Sequence, residues 1–328
     1  MTTAPTVPAP GTIEPHLAGH VLDGRYRLEA RIGGGRVGGV YRATDLHEER
    51  PVAVRLIATA GRTTDGRERL RSAFRGEARV AIRLTHPNLA QGSDYGSDEK
   101  LGFHYLVTEL IDGVGLDAYR AARGRLPPAE AVALLLQAAG ALGTAHAARL
   151  VHRDVRPRNL LVVDDGTGHA SLRLVDLARI DAEAAEGAPT PDHGYRVPEW
   201  GHGDRFTPAA DVYLLALVAL ELLTGRPPAG GAAGALEQLD AARAAGVPEP
   251  LLRVLEQALF PDPGARHGDA REFATALERA AAEAGIEPRT PPADPARRSG
   301  SAATPPVVAL VVAVALAVMG IAIAALVL

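Results

Sequence analysis

His152-Arg153-Asp154-Val155-Arg156-Pro157-Arg158-Asn159 stands near the middle of a 328-residue chain. Before it lies an alanine-rich helical pattern. After it comes Leu160-Leu161-Val162-Val163, an aliphatic, partly β-branched run that reads as a strand. An acid followed five residues later by an amide suits one division of labour: one group orients a hydroxyl while the other holds a metal. By itself the octet is suggestive, and its weight depends on what surrounds it.

Toward the N-terminus, residues 1–19 are rich in Pro, Thr and Ala without periodicity and are expected to be a disordered arm. Patterned sequence begins near Leu22. Tyr26-Arg27-Leu28 leads into Ile32-Gly33-Gly34-Gly35-Arg36-Val37-Gly38-Gly39-Val40-Tyr41-Arg42-Ala43. Glycines at 33, 35 and 38 let a turn bring backbone N–H groups close to phosphates without Cβ obstruction. A surface hairpin turn would also account for them. The run continues as a strand, whereas a dinucleotide-binding fingerprint would open a helix. Pro51-Val52-Ala53-Val54-Arg55-Leu56-Ile57 is an apolar strand with one cation. Leu70, Phe74, Ala78, Ala81 and Ile82 recur at helical spacing and carry Glu77 with them. A lone Glu on a helix is ordinarily a solvated side chain. Its place between the cation strand and His86-Pro87-Asn88 argues otherwise. Residues 103–107 read as a strand running into Thr108-Glu109-Leu110-Ile111-Asp112-Gly113. Pro127 to Ala148 is a long apolar helix pattern.

Toward the C-terminus, Asp164-Asp165-Gly166 is a turn, and Ser171-Leu172-Arg173-Leu174-Val175 a strand ending at Asp176-Leu177-Ala178. Asp176 lies 22 residues after Asp154, beyond a hairpin. The next segment contains one hydroxyl of the Ser/Thr kind, Thr190, and closes at Tyr195-Arg196-Val197-Pro198-Glu199. Asp211-Val212-Tyr213 opens a strongly apolar helix to Leu223, with Asp211 expected as its N-cap. Pro261-Asp262-Pro263-Gly264-Ala265-Arg266 precedes a last helix from Ala270 to about Ala284. Residues 285–306 return to Pro, Ala, Thr and Ser and are expected to be a flexible linker. Val307 to Leu328 has no charge and no proline over 22 residues. At 1.5 Å per residue it would reach about 33 Å, enough to cross a hydrocarbon core. Arg297 and Arg298 on its near side favour a cytoplasmic N-terminal region, and no external domain is expected after it. Ala313, Ala317, Gly320 and Ala324 share a stripe that could pack a second copy, although chance accounts for such spacing in an alanine-rich span.

Composition narrows the classes. Apolar residues make up 47% of the chain, enough for a sizeable core. The net charge of −4 and the lack of an extended basic run argue against nucleic-acid binding. There is no cysteine, which excludes disulfides, cysteine zinc sites and thiol catalysis. No basic region followed by an apolar run opens the chain, so no secretory signal is expected. Lys100 is the only lysine.

The octet resembles the catalytic loop of the protein kinases, H-R-D-x-x-x-x-N. The glycine stretch, the strand cation, Asp176-Leu177-Ala178 and Val197-Pro198-Glu199 resemble that family's other motifs, in order, over residues 20–284. Tyr26-Arg27-Leu28 and Pro157 point to the bacterial membrane-anchored serine/threonine kinases. The resemblance implies an α+β, two-lobed fold: a small β-rich N-lobe at about 20–108 and a mainly helical C-lobe at about 113–284, followed by one transmembrane helix. It further implies ATP and Mg²⁺ as cofactors, protein Ser/Thr hydroxyls as substrates, and a cell-membrane location with the kinase domain cytoplasmic. Membrane lipid would surround the C-terminal helix, and a second copy of the chain would be a partner in any homodimer. By residue, Asp154 would accept the hydroxyl proton, with Arg156 beside it. Ile32, Gly33, Gly35, Gly38, Val40, Ala53, Arg55, Glu77, Thr108, Glu109, Ile111 and Leu161 would surround ATP. Thr108 would be the gatekeeper, and the backbone of Glu109 and Ile111 would meet adenine. Asn159 and Asp176 would hold the metal. Thr190 would be a phosphorylation site. Glu199 would pair with Arg266, and Asp211 would act structurally.

Three positions depart from the family pattern. Arg55 replaces the strand lysine that pairs with the helical glutamate, Arg156 replaces the loop lysine, and Ala178 replaces a glycine. In addition, Asp192 stands where such kinases commonly carry a threonine. A planar guanidinium on a longer stem does not place its charge where an ammonium would. Two classes of function follow: a working phosphotransferase, or a pseudokinase that holds nucleotide or scaffolds partners. A non-kinase phosphotransferase of the same fold fits the motifs less well.

Overall fold

The computed structural model describes residues 17–33, 38–59, 63–177, 194–199, 206–228 and 231–293. Gly35, Ala178, Thr190, Asp192, most of the N-terminal arm and the whole of 307–328 lie outside the described residues.

The N-lobe is a six-stranded antiparallel sheet in the order β1-β2-β3-β4-β6-β5. Its strands are β1 (Val21–Leu22), β2 (Tyr26–Gly33), β3 (Gly38–Asp45), β4 (Arg50–Ala58), β5 (Gly92–Asp98) and β6 (Phe103–Glu109). Strand periodicity sorts the side chains. On β4, Val52, Val54 and Leu56 enter a core with Leu22, Tyr26, Leu28, Tyr41 and Val107. The alternate set, Ala53, Arg55 and Ile57, lies on the other face, where Ile57 packs with Leu70 and Phe74. That alternation commits Arg55 to the helix side of the sheet.

Helix α1 (Thr64–Ala81) crosses this second face. Thr63 caps it, accepting from the Gly66 amide at 3.1 Å. Leu70, Phe74, Ala78 and Ala81 form its buried stripe. Phe74 stacks on His104 of β6 at 5.3 Å and meets Tyr95 edge-on.

The chain then passes through residues 110–113 to β7 (Val114–Gly115) and into the C-lobe. Helices α2 (Leu116–Arg123), α3 (Pro128–Ala147), α4 (Pro208–Thr224), α5 (Gly231–Ala244), α6 (Glu249–Ala258) and α7 (Ala270–Glu283) build it. Helix α4 is buried from Ala209 to Leu223, as its all-round apolar surface requires. Gly225 ends it in the left-handed conformation, φ 74°. Helix α3 is long and apolar enough to cross a bilayer, yet it is a core helix packed against α4 and α7.

Strand β8 (Leu160–Asp164) pairs with β9 (Ala170–Leu174) in a hairpin against β7. The tail beyond α7, within the stretch expected as linker, lies against this hairpin. The Ala170 amide donates to Pro291 O at 2.8 Å, and the Ala293 amide to Gly168 O at 2.9 Å. The Tyr119 hydroxyl donates to Pro292 O at 2.9 Å.

Candidate active site

The octet occupies the loop between α3 and β8, and its shape begins with the backbone. Arg149 and Arg153 have φ of 60° and 67°, in the left-handed region that costs a non-glycine residue roughly 1–3 kcal/mol. The fully buried Asp211 holds the bend. It accepts from the backbone amides of His152 and Arg153 at 2.7 Å each, and from His146 Nε2 at 2.9 Å. Asp211 is therefore not the N-cap expected from its place near the helix start. Thr207 holds that position, and Asp211 sits one turn in, where its carboxylate reaches across to the loop. His152 is fixed by Nε2 donating to Val175 O at 2.8 Å and Nδ1 accepting the Asp154 amide at 3.3 Å.

On this frame Asp154 is nearly buried. Asn159 Nδ2 donates to its carbonyl at 2.8 Å and to Oδ2 at 3.0 Å, while the guanidinium of Arg156 grips Oδ1. A short 3₁₀ turn, Pro157–Asn159, gives this return in three residues. The antiparallel register Leu160↔Leu174 then sets Asn159 opposite Val175, whose amide donates to Asn159 O at 3.0 Å. Asp176 follows directly, with φ 68°. Two metal-ligand candidates 17 residues apart thus come close along the backbone through one short hairpin. Across the cleft, Arg55 Nη1 donates to Asp176 Oδ1.

The side chain of Glu77 on α1 accepts from both terminal nitrogens of Arg153 at 2.9 Å. The resemblance pairs this glutamate with the strand cation. Nothing in the sequence pointed to Arg153 as its partner, although Arg153 belongs to the octet itself.

The residues expected around ATP are distributed over one wall and floor. Val40, Ala53, Thr108, Glu109, Ile111 and Leu161 are half-buried, and Ile32 is exposed. Register brings Gly33 opposite Val40, Val40 opposite Arg55 and Ala53 opposite Thr108. Glu109 also accepts from the Gln91 amide at 2.7 Å and from Arg173 of β9, linking the end of β6 to the β8–β9 hairpin.

Beyond the cleft, Arg266 satisfies all five guanidinium N–H groups. It makes a bidentate pair with Glu199 at 2.9 and 2.8 Å and donates to the carbonyls of Phe260, Ala209 and Pro261. Its guanidinium carbon also lies 4.7 Å from the centroid of the Tyr213 ring. A second buried network was missed in the sequence. Tyr195 donates to Glu221 at 2.6 Å, and Glu221 pairs with Arg120 at 3.1 Å. Burial first, and Glu221 second, push the Tyr195 hydroxyl well above its ordinary pKa. The available signal was a carboxylate inside the apolar run of α4, which needs a partner to be buried.

A two-lobed fold with a glycine-rich sequence between β2 and β3, a strand cation and this acid–amide loop defines the protein kinase class. The protein kinase domain model matches residues 26–274, and the chain belongs to that family. Its relatives include bacterial serine/threonine kinases. It is 36% identical over 287 residues to serine/threonine-protein kinase PknL of Mycobacterium tuberculosis, covering 83% of this chain and 69% of that protein. It is 33% identical to PknA of the same species (88% and 68% covered) and 31% identical to PrkC of Bacillus subtilis (80% and 42%). Among solved structures, the M. tuberculosis PknI kinase domain superposes with a TM-score of 0.62 at 29% identity, covering 80% of this chain and 98% of that one.

Proposed function

We propose that this chain is an ATP-dependent protein serine/threonine kinase that transfers the γ-phosphoryl group to hydroxyls of protein substrates while tethered to a membrane. The observation that carries this reading is the Asp154 carboxylate held beside Asn159, with Asp176 next in sequence to Val175, whose amide bonds Asn159 O. In this reading the substrate oxygen attacks the γ-phosphorus in line. Its proton passes to Asp154, and the bond to the bridging oxygen breaks to leave ADP. Arg156 orients the Asp154 carboxylate and adds positive charge where the phosphoryl group passes. Val40, Ala53, Ile111 and Leu161 would sandwich adenine beside Thr108, and the glycine turn from Gly33 to Gly38 would cover the phosphates.

The donor set suits Mg²⁺. Asn159 uses Nδ2 for its bonds to Asp154, which leaves Oδ1 outside that pair. Asp176 adds a carboxylate, and oxygen ligands match a hard cation. Any ion held by Asn159 and Asp176 would neutralise phosphate charge, but it would have to share Asp176 with the Arg55 guanidinium. Residues 307–328 would supply the membrane span and any homodimer contact, and Thr190 would be the first site to take label.

The test is label transfer from γ-³²P-ATP by the purified chain, which Asp154→Asn is expected to abolish. A pseudokinase reading is favoured by a specific observation: Asp154, Asp176 and Glu77 each pair with an arginine. No transfer by the parent, with transfer restored in Arg55→Lys, would select that second reading.

A further inference from the structure

Arg55 lies on β4 opposite Val40, two residues along β3 from Gly38, so its backbone is one strand over from the start of β3. Its side chain ends on Asp176, in a pair whose partners are only 11% and 15% exposed. We infer that the Arg55 guanidinium takes the place on Asp176 that a divalent cation would take, so that this cleft holds ATP with little dependence on Mg²⁺. The inference rests on reading the cleft as an ATP site.

The physical case is competition for one carboxylate. Mg²⁺ dehydrates reluctantly and binds through one or two carboxylates plus the phosphates of its substrate. Here the carboxylate that would anchor it already carries a positive partner in a partly desolvated setting, where such pairs are strengthened. An ammonium at this point is a compact charge. A guanidinium is a planar fork with five donors: one edge can face the carboxylate while another meets phosphate oxygens. The neighbouring acids are matched in the same way, Asp154 by Arg156 and Glu77 by Arg153. Positive charge that a metal would bring to the phosphates is thus built into the chain.

The test is ATP affinity of the full chain in detergent, measured by calorimetry in Mg²⁺ and in EDTA. Removing the metal is expected to change the parent's Kd by less than about threefold, whereas Arg55→Lys binds about tenfold or more tighter with Mg²⁺. Asp176→Asn serves as a second variant in case the first does not fold. It releases the guanidinium, and its affinity for ATP in EDTA is expected to hold or rise. A loss of about tenfold or more by the parent in EDTA overturns the inference and leaves the ATP reading standing. So does metal independence shared by Arg55→Lys, or weakened binding of ATP by Asp176→Asn in EDTA. No binding of ATP in either buffer overturns both.

Discussion

Arg153 and Glu77 form a two-pronged pair, both contacts 2.9 Å, joining the loop between α3 and β8 to helix α1 of the other lobe. The side chains are 10% and 21% exposed, so the pair is shielded from salt and water more than a surface bridge would be. A double-mutant cycle with Arg153→Ala and Glu77→Ala is expected to give a coupling energy of about 1–2 kcal/mol in denaturant unfolding. Additive single effects would mean that the pair does not tie the lobes.

Asp211→Ala leaves two backbone amides and a histidine N–H without their buried acceptor. Orphaned buried donors cost about 1–3 kcal/mol each. The expected result is a loss of at least about 3 kcal/mol of stability. Asp211→Asn keeps one acceptor oxygen and should lose less. Equal losses in the two variants would count against the three-donor account.

Arg266→Lys keeps the charge and loses the fork. One ammonium cannot replace a bidentate pair, three carbonyl contacts and the ring contact with Tyr213. A loss of about 2–4 kcal/mol is expected, most of that of Arg266→Ala. A lysine variant unfolding at the parent's midpoint would show charge alone to be sufficient.

His104 is buried against Phe74, and burial, followed by the charges of Arg71 and Arg75, holds its pKa below the ordinary 6.5. The unfolded chain therefore binds a proton more readily than the folded one below pH 6.5. The stability tied to this neutral imidazole is complete above that pH and is lost as pH falls toward the depressed folded value. His104→Phe, which preserves the stack, should flatten the fall in unfolding temperature on acidification from about pH 7 to about pH 5. An unchanged slope would assign the acid sensitivity to His86 and His267, whose pKa values burial also depresses.

Truncation distinguishes the packed tail from a linker. Ending the chain at Ala293 should leave the unfolding temperature of the kinase domain unchanged. Ending it at Ala284 should lower that temperature measurably, because Ile286 leaves the core and Pro291, Pro292 and Ala293 leave the hairpin. Equal unfolding temperatures would return residues 285–293 to the status of a spacer.

Much of the fold was legible because its signals are local. Period-two alternation on β4, the apolar stripe of α1 and the all-round apolar pattern of α4 each follow from residues close in sequence. Asp154, Asn159 and Asp176 were legible as a set because the hairpin joining them is short. The partners of Glu77, Asp211 and Glu221 were not. Each is a carboxylate whose counterpart lies 76, 59 or 26 residues away. No periodicity records such distances. The packing of residues 286–293 was not legible for a related reason: their proline-rich composition is that of a spacer, and only the open edge beside β9 gives them a place.

By itself the sequence determined the chemical inventory: oxygen-bearing side chains at the loop and hairpin, a cluster of glycines from Gly33 to Gly39, and arginine for nearly every cation, Lys100 excepted. Local spacing was enough for that, because strands, turns and helices of this length obey nearest-neighbour rules. Tertiary structure alone decided how the charges were shared. Opposite charges brought together away from water select partners by reach and geometry, so Arg153 rather than position along the chain made the bridge to Glu77, and Arg55 closed on Asp176.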